Sequence, residues 1–384
     1  MRLRRPKRAA RLAEAPPAVY TIAMITHEMI RRAPKVELHD HLDGGLRPAT
    51  VLELAKERGM KLPVDDAAGL ADWLHRGANR KSLSLYLEGF ALTCGVMRTP
   101  QAIERVAREA LEDLAADGVV YAELRFAPIL HQSDELSLEA IVEAALRGLE
   151  AGKAATGCSY GLILCAMRNM APAYSLETAE LAVAYRDRGV VGFDIAGDEA
   201  GHPPKRHLEA FQYIRDKNFN ITIHAGEAFG PESIWQALQT CGAHRIGHGT
   251  RLVEDMAYTG AKIDKMGSLA SYLRDRRVPI ECCLSSNVQT GAAADYASHP
   301  FNVFYRNDFR VCLCTDNRLM SDTSLSREYA LAAEHFGLGL RDLERIAINA
   351  MKSAFAHYGE RVRIIYDIIK PRYARLRDET NPHE

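Results

Sequence analysis

Short apolar runs rich in β-branched residues alternate along the chain with longer stretches in which apolar residues recur at helical spacing. The short runs predict strands, and the longer stretches predict amphipathic helices. A regular alternation of the two is typical of βα units built around a parallel sheet. Eight runs qualify as strands: Lys35–Asp40, Val119–Ala127, Tyr160–Met167, Val190–Ile195, Phe219–His224, Arg245–His248, Val278–Leu284 and Phe309–Thr315.

Helical stretches separate the predicted strands, and the clearest are Ala102–Ala116, Leu138–Ala154, Leu176–Asp187 and Glu232–Cys241. Eight strands with intervening helices match a (β/α)8 barrel, an α/β fold of the TIM type. No internal repeat and no Pro/Gly/Ser-rich linker marks a boundary, so residues 25–384 are predicted to form a single barrel domain. Residues 1–24 begin with a basic run and lack the apolar stretch of a signal peptide, and we interpret them as a disordered extension.

Polar and glycine-rich segments follow at least six of the predicted strands at their C-terminal ends. A (β/α)8 barrel carries its active site in the loops at that face, so these segments form the candidate site. They are His39–Gly44, Arg168, Ala196–Glu199, His224–Glu227, His248–Thr250 and Asp316–Asn317.

Three histidines and one aspartate in these segments form a candidate metal site. His39 and His41 are two residues apart on an extended strand, so both imidazoles point to one face, about 6.6–6.8 Å apart along the strand. His224 ends the fifth strand, and Asp316 ends the eighth, which neighbours the first in a closed barrel. Three nitrogens and one carboxylate suit one zinc ion with a position left for water. The alternative is that the histidines only pack in the core.

Two further polar residues flank the predicted ligand on the fifth strand. Water bound to zinc is acidic enough to be hydroxide near neutral pH, and hydrolysis then needs a proton donor for the substrate and a group that orients or deprotonates the water. Glu227 follows His224 by three positions, and His248 ends the sixth strand. We predict that they are the catalytic residues. The alternatives are a carboxylate near a helix N-terminus for Glu227 and a core residue for His248.

Composition narrows the classes of function. The 384 residues include 49 Lys and Arg against 50 Asp and Glu, a net charge of -1, which argues against a broad surface for nucleic acid. No apolar run approaches the roughly 20 residues of a membrane span. The 8 cysteines contain no C-x-x-C pair, so free thiols in a cytoplasmic protein are expected. We interpret Cys312 and Cys314 as barrel packing, with a zinc–thiolate site as the alternative.

Six segments resemble, in order, the motifs of the adenosine deaminase family within the metal-dependent amidohydrolase superfamily. The resemblance covers about residues 33–330, and the matching segments are Lys35–Gly44, Val191–Glu199, His224–Glu227, Arg245–Gly249, Leu284–Asn287 and Thr315–Asn317. It implies a barrel enzyme that deaminates adenosine, and 2′-deoxyadenosine with it, to inosine or deoxyinosine and ammonia, using one zinc ion per chain. A purine nucleoside would be its small-molecule partner in purine salvage. The oligomeric state stays open between a monomer and a homo-oligomer.

The resemblance also implies a role for each candidate residue. The family's zinc ligands match His39, His41, His224 and Asp316. Glu227 matches the acid that protonates the purine N1, and His248 matches the residue that orients and deprotonates the attacking water. The backbone N–H of Gly197 matches the contact to the purine N3. Asp43, with His41 nearby, matches the contact to the ribose 5′-hydroxyl.

A helical segment resembles the apolar gate that covers the family's pocket. Its apolar residues recur at i, i+3, i+4 and i+7, and they are Leu83, Tyr86, Leu87 and Phe90. The alternative for such a stripe is plain core packing.

Asn317 departs from the family pattern, in which many members carry a second aspartate that contacts the purine N7. N7 is an acceptor, so an aspartate must hold a proton to donate to it. Asparagine offers an amide N–H2 donor without any added proton. The contact to N7 can therefore survive, while the purine preference stays open.

Three other functions remain open from the sequence. The first is the same chemistry on adenine or on a modified 6-aminopurine nucleoside, although Asp43 favours a nucleoside. The second is a zinc amidohydrolase that acts on another class of substrate, and Gly197 and Glu227 argue against it. The third is an inactive barrel kept for binding or assembly.

Overall fold

The computed structural model describes residues 25–380, and the predicted extension of residues 1–24 lies outside the described residues. Eight parallel strands form a barrel, with a two-stranded antiparallel hairpin beside it. The barrel strands are β1 Lys35–His41, β2 Val119–Phe126, β3 Ser159–Met167, β4 Val190–Ala196, β5 Thr222–Ala225, β6 Arg245–His248, β9 Pro279–Cys282 and β10 Arg310–Leu313. The hairpin strands are β7 Met256–Thr259 and β8 Lys262–Met266.

The barrel strands pair in chain order. Two parallel groups, β1-β2-β3-β4 and β5-β6-β9-β10, make up the two halves. A parallel bridge between Phe193 and Ile221 joins β4 to β5. A second bridge, between Asp40 and Asp316, joins the end of β1 to the segment after β10. The predicted (β/α)8 barrel is confirmed.

The observed strands differ from the predicted ones by one to three residues at several ends, and β10 ends at Leu313 and not at Thr315. β5 begins at Thr222 and not at Phe219, because the Phe219 N–H still closes the preceding helix on the Ile214 carbonyl at 3.0 Å. β9 ends at Cys282, and Leu284 already begins the next helix. The β7–β8 hairpin was not predicted. Most of its side chains are exposed, so no buried face imposes an alternating apolar pattern.

Helices fill the crossovers and the loops at the rim. The α-helices are His27–Arg32, Pro48–Glu57, Ala67–Ala78, Leu83–Tyr86, Phe90–Val96, Pro100–Ala116, Leu138–Thr156, Pro172–Ala184, Leu208–Asp216, Pro231–Trp235, Ser268–Asp275, Leu284–Thr290, Phe301–Arg306, Arg318–Ser321, Leu325–Phe336, Leu340–Ser353, Tyr358–Arg363 and Lys370–Thr380. The 3-10 turns are Leu42–Gly44, Leu87–Gly89, Pro128–Leu130, Arg186–Arg188, Pro204–His207 and Thr250–Asp255. Gln236–Thr240 and Ile364–Ile369 are π-helical. Within residues 25–380, no helix combines the length and the apolar character needed to cross a membrane.

Two long crossover helices show how local sequence sets helix bounds. Pro100–Ala116 begins after Thr99, whose hydroxyl accepts a backbone N–H of the first turn. Leu138–Thr156 begins after Ser137, which caps it in the same way, and ends at Gly157 with a left-handed φ of 74°. Both helices start within two residues of the predicted positions because these caps are local signals.

Charged side chains fill part of the barrel interior. Arg125 on β2 donates to Asp194 of β4 (Nη1–Oδ2, 2.7 Å) and to Glu281 of β9 (Nη2–Oε2, 2.9 Å). Arg245 on β6 donates to Glu281 and to Glu123, each at 2.6 Å. Each of these buried charges thus has a partner of opposite sign. Removing one partner would leave the other charge buried and unpaired.

The C-terminal ends of the barrel strands meet at one rim, where the predicted site residues lie. The segments that follow β1 and β10 are tied there by reciprocal backbone hydrogen bonds. The His41 N–H donates to the Asp316 carbonyl, and the Asp316 N–H donates to the His39 carbonyl, both at 2.7 Å. These hydrogen bonds join the first and the last strand of the barrel at the candidate site.

Candidate metal centre and substrate pocket

The four predicted metal ligands come together at the rim. Asp316 Oδ1 lies 3.4 Å from His39 Nε2 and 3.4 Å from His41 Nε2. His41 Nε2 lies 3.1 Å from His224 Nε2. All four side chains are buried. The structure thus brings together residues from β1, β5 and the end of β10, as the spacing predicts.

Buried carboxylates orient two of the imidazoles. His39 Nδ1 lies 2.8 Å from Glu281 Oε2, and His224 Nδ1 lies 3.0 Å from Asp194 Oδ2. Burial opposes the ionisation of both carboxyls, but neighbouring positive charge, including Arg125, holds the pKa of Glu281 and of Asp194 well below the usual range. An ionised carboxylate can only accept, so each ring carries a proton on Nδ1. His39 Nε2 is thereby directed toward Asp316, and His224 Nε2 toward His41.

This donor set fits a divalent metal ion. The Nε2 lone pairs and the Asp316 carboxylate are acceptors that face one another, and His39 Nε2 has no hydrogen-bond partner among residues 25–380. Buried acceptors that converge in this way are unfavourable unless a cation lies between them. Nitrogen and carboxylate oxygen are the ligands of zinc sites that keep one position open.

A second grouping of candidate ligands contains His248 in place of His41. Ligand atoms of His39, His224, His248 and Asp316 all lie within 4.8 Å of one another. His248 is also the predicted catalytic residue, so its protonation decides which grouping is the better metal site.

A chain of hydrogen bonds sets the protonation of His248. The backbone N–H of Phe301 donates to His299 Nδ1 at 3.0 Å, which leaves the proton of the neutral His299 ring on Nε2, 3.2 Å from Asn287 Oδ1. Asn287 then presents its N–H2 group to His248 Nδ1 at 3.0 Å. The neutral His248 ring therefore carries its proton on Nε2 and cannot ligate a metal through that atom. This protonation favours His41 as the fourth candidate ligand.

Burial keeps the rings of this chain neutral. It lowers the pKa of His299 to about 3 and the pKa of His248 well below the ordinary value for histidine.

The backbone of His248 has a left-handed φ of 63°, and that of Asp316 has a φ of 64°. Such angles are unfavourable for residues other than glycine and collect at functional sites, where the surrounding structure enforces them.

Glu227 lies beside His248 with a buried carboxyl. Glu227 Oε2 is 3.5 Å from His248 Nε2, and Glu227 Oε1 has no hydrogen-bond partner within the described part of the chain. Burial, together with the nearby carboxylates of Asp316 and Glu199, raises the pKa of Glu227 to about 8. The carboxyl therefore holds a proton at neutral pH, as a proton donor must.

Glu199 fixes the loop that carries Glu227. Its carboxylate accepts hydrogen bonds from four consecutive backbone N–H groups, at 2.6–3.0 Å, those of Gly226, Glu227, Ala228 and Phe229. It also accepts one from the Ser233 hydroxyl. A carboxylate held at these N–H groups aligns the Glu227 backbone and completes the turn after β5.

All the predicted site residues except His39 line a cavity of about 470 Å³, a size typical of small-molecule sites. The predicted gate residues Leu83, Tyr86, Leu87 and Phe90 all line it. They lie on a short helix, a 3-10 turn and the start of the next helix, rather than on one continuous helix. Ser84 in this segment donates to Asp198 Oδ2 at 2.6 Å, which ties the segment to the loop after β4.

The predicted contacts to the purine and the ribose also line this cavity. They are His41, Asp43, Gly197 and Asn317. Gly197 has a left-handed φ of 99°, which suits glycine. Gly44 leaves room for Asn317, because a Cβ at this position would lie 1.9 Å from Asn317 Oδ1. The side chain of Asn317 therefore packs directly against Gly44, and its Oδ1 has no hydrogen-bond partner among the described residues.

Sequence reasoning did not assign the residues that orient the ligands and the catalytic pair. They are Arg125, Asp194, Glu199, Glu281 and Asn287. Asp194, Glu199 and Asn287 lie inside the matched motifs without an assigned role. The available signal was a charged residue within an otherwise apolar strand, because such a residue must find a buried partner. The identity of each partner depends on the barrel geometry.

Comparison with known proteins places the chain in a family. The family model described as Adenosine deaminase matches residues 34–371. The adenosine deaminase of Mycolicibacterium vanbaalenii is 56% identical over 358 residues, which cover 92% of this chain and 98% of that protein.

Solved structures give the same architecture. Arabidopsis ADAL complexed with IMP is 31% identical and superposes with a TM-score of 0.77, covering 90% of this chain and 99% of that one. A Burkholderia ambifaria amidohydrolase with bound Zn shares the fold at 23% identity, with a TM-score of 0.81, over 95% of this chain and 98% of that one. The barrel, the converging histidines and these matches together establish that the chain belongs to the adenosine deaminase family.

Proposed function

We propose that this protein hydrolyses the 6-amino group of adenosine, and of 2′-deoxyadenosine, to give inosine or deoxyinosine and ammonia. Support comes from the family membership, since relatives such as the one from Mycolicibacterium vanbaalenii are named adenosine deaminases. The observation that carries the proposal is a buried carboxyl that keeps its proton beside a cluster of metal-ligand type in a nucleoside-sized cavity.

We propose that one zinc ion per chain would be held by His39, His41, His224 and Asp316. A zinc ion, when bound, makes water acidic enough to attack as a nucleophile near neutral pH. Arg125 holds the two carboxylates that orient these ligands. It contacts Asp194, which orients His224, and Glu281, which orients His39.

Glu227 is the proposed proton donor to the purine N1. Attack of water at C6 removes the aromaticity of the purine's six-membered ring, and negative charge develops on N1. A carboxyl with a pKa of about 8 still holds its proton at pH 7 and can give it to N1 as that charge develops.

His248 is the proposed orienting group for the attacking water. Its predicted role includes both orientation and deprotonation of that water. The chain from His299 through Asn287 leaves a proton on His248 Nε2, so this nitrogen would donate a hydrogen bond to a water oxygen beside it. The geometry favours orientation over deprotonation for this tautomer.

The remaining pocket residues are proposed to hold the nucleoside. The Gly197 N–H would contact N3, the Asn317 amide would donate to N7, and Asp43 with His41 would bind the ribose 5′-hydroxyl. All four line one cavity, so a single purine nucleoside is a reasonable occupant.

A substrate panel tests the proposal. Purified protein is incubated with adenosine, 2′-deoxyadenosine, adenine and a 6-methylamino nucleoside, and ammonia release is measured with the change in ultraviolet absorbance. We expect the two nucleosides to be the best substrates. Turnover of adenine alone would favour the free base, and no turnover with zinc present would contradict the proposed activity.

A further inference from the structure

A second group of potential metal ligands lies at the wall of the pocket, outside the predicted zinc site. It consists of Asp43 in the turn after β1, Cys94 in the helix Phe90–Val96, and His131 in the loop after β2. Their ligand atoms all lie within 4.8 Å of one another. The three residues are 2%, 6% and 0% exposed. No role has been assigned above to Cys94 or His131.

The protonation of His131 leaves a lone pair directed into this group. His131 Nδ1 lies 3.2 Å from the Met97 carbonyl oxygen, which can only accept, so Nδ1 carries the proton of the neutral ring. His131 Nε2 has no hydrogen-bond partner among the described residues, and its nearest charged neighbour is Asp43 Oδ2 at 3.4 Å. A ring whose far nitrogen donates to a backbone carbonyl is the arrangement found in histidines that ligate metals.

Asp43 is short of partners as well. Asp43 Oδ1 is buried without a hydrogen-bond partner in the described region. Asp43 Oδ2 faces the His131 lone pair and accepts one long hydrogen bond, from the Cys94 thiol at 3.8 Å. A buried carboxylate opposite an imidazole lone pair is unfavourable, because both groups accept and neither donates. A cation between them would remove this cost.

The separations fit one metal ion. Zinc binds nitrogen and oxygen at about 2.0–2.2 Å and sulfur at about 2.3 Å, so a tetrahedral site places N and O about 3.4 Å apart and S and O about 3.6 Å apart. The observed separations are 3.4 Å for His131 Nε2 to Asp43 Oδ2 and 3.8 Å for Cys94 Sγ to Asp43 Oδ2. The two separations that involve Asp43 therefore lie close to the edges of such a tetrahedron, and the third, from His131 to Cys94, lies within 4.8 Å.

We propose that Asp43, Cys94 and His131 form a second metal site that takes a thiophilic divalent cation such as Zn²⁺ or Cd²⁺. Asp43 and Cys94 line the cavity, so the fourth position opens into the pocket. Binding converts the Cys94 thiol to a thiolate, and the released proton passes to solvent. One carboxylate and one thiolate then neutralise the two charges of the metal.

Occupation of this site blocks the substrate. Asp43 cannot ligate a metal and bind the ribose 5′-hydroxyl at once, so the metal and the nucleoside compete for it. This consequence rests on the proposed function, whereas binding of the metal does not. Excess metal is thus expected to inhibit competitively, even though the first metal is required.

A thiolate-specific signal tests the site. Cd²⁺ is titrated into protein that already holds one equivalent of zinc, and the thiolate-to-cadmium charge-transfer band is followed in the ultraviolet. The proposed zinc site contains no thiolate, so the band reports the second site alone. We expect it to saturate at about one equivalent and to disappear in Cys94→Ser. Cys165→Ser is the matched control, because Cys165 is also buried and lines the same cavity, and it should keep the band.

A second variant keeps all the cysteines, so that a lost band in Cys94→Ser cannot be explained by misfolding alone. His131→Gln should weaken cadmium binding by at least about tenfold, since even partners that only orient a ligand contribute 10–100-fold to metal affinity. No band in the parent protein would overturn the proposal. An undiminished band in Cys94→Ser would overturn it too, because the signal would then come from another cysteine.

Kinetics separate this proposal from the proposed function. In the parent, added Cd²⁺ should raise the apparent KM for adenosine and leave kcat unchanged, and saturating adenosine should displace the band. A further outcome is that the band is lost in Cys94→Ser and weakened in His131→Gln, yet persists in saturating adenosine. That result would support the metal site and contradict the assignment of Asp43 to the ribose.

Discussion

A carboxyl that keeps its proton near neutral pH is rare, and burial gives Glu227 that property. Glu227→Gln removes the proton donor and keeps the size and the polarity of the side chain. We expect kcat to fall by roughly 10²–10⁴-fold, with zinc content and the fold preserved. Glu232→Gln is the matched control, because Glu232 is an exposed glutamate in the same connection and should have no effect.

The pH profile of the parent gives an independent check on Glu227. The protonated form is the donor, and the pKa is raised to about 8, so kcat should be level near pH 7 and decline as pH rises through about 8. The Gln variant should lack this decline. If the variant keeps a parental turnover number, the proton donor lies elsewhere and Glu227 is only part of the turn.

Asn317 is expected to read the purine N7. 7-Deazaadenosine has carbon at this position, so a buried amide donor would lose its partner at a cost of about 1–3 kcal/mol, and kcat/KM should fall roughly 10- to 100-fold. Asn317→Ala should erase most of this discrimination, since the unpaired donor is gone. Asn317→Asp should retain it only at pH values where the new carboxyl is protonated. An alanine variant that discriminates as well as the parent would assign Asn317 to holding the loop.

At the scale of elements, the helix Leu284–Thr290 carries Asn287, whose side-chain amide determines which ring nitrogen of His248 holds the proton. Asn287→Asp replaces the amide by an acceptor, which draws the ring proton to His248 Nδ1 and reverses the tautomer. A wrong tautomer can cost up to about 10⁴ in kcat, and we expect a loss of roughly 10²–10⁴-fold with the metal retained. Nitrogen-15 NMR of the imidazole distinguishes the two tautomers.

Asn79→Asp makes the same chemical change at an exposed asparagine far along the chain from these hydrogen bonds and serves as the control. A parental rate in Asn287→Asp, together with an unchanged imidazole spectrum, would show that the amide does not set the tautomer.

The elements also show what the sequence could predict. All eight barrel strands were expected near their observed positions, because each is a short apolar run followed by polar residues. The ligands at strand ends follow from the same pattern. The pairing of Arg125 with Asp194 and Glu281 could not be predicted, because it joins three strands across the barrel interior. The contact of His299 with Asn287 depends on a loop path that has no periodic signal.

At the scale of the whole molecule, the metal site should contribute to stability. Four candidate ligands converge at the rim, so the proposed zinc ion would bind the folded protein and would not be held by the unfolded chain. Linkage predicts about 4 kcal/mol of stabilisation when free metal exceeds its Kd 1,000-fold. We expect chelation to lower the Tm by several degrees and zinc analysis to give about one equivalent per chain before any excess is added.

His224→Ala should lose zinc, activity and the effect of chelation on Tm together. His357→Ala, at an exposed histidine outside the site, should keep all three. Full activity in metal-stripped protein would contradict the hydrolytic zinc mechanism, and an unchanged Tm after metal removal would contradict the linkage.

The reciprocal hydrogen bonds between the His39–His41 segment and Asp316 have a consequence for biosynthesis. They join parts of the chain that are made far apart in time, since Asp316 leaves the ribosome long after His39. A nascent chain that ends before β10 has His39, His41 and His224 but lacks their carboxylate partner and the contact that closes the barrel. Such long-range contacts form late in folding. Capture of the proposed zinc ion is therefore expected after translation has passed β10, so that a ribosome-bound fragment would not deaminate nucleosides before its barrel is closed.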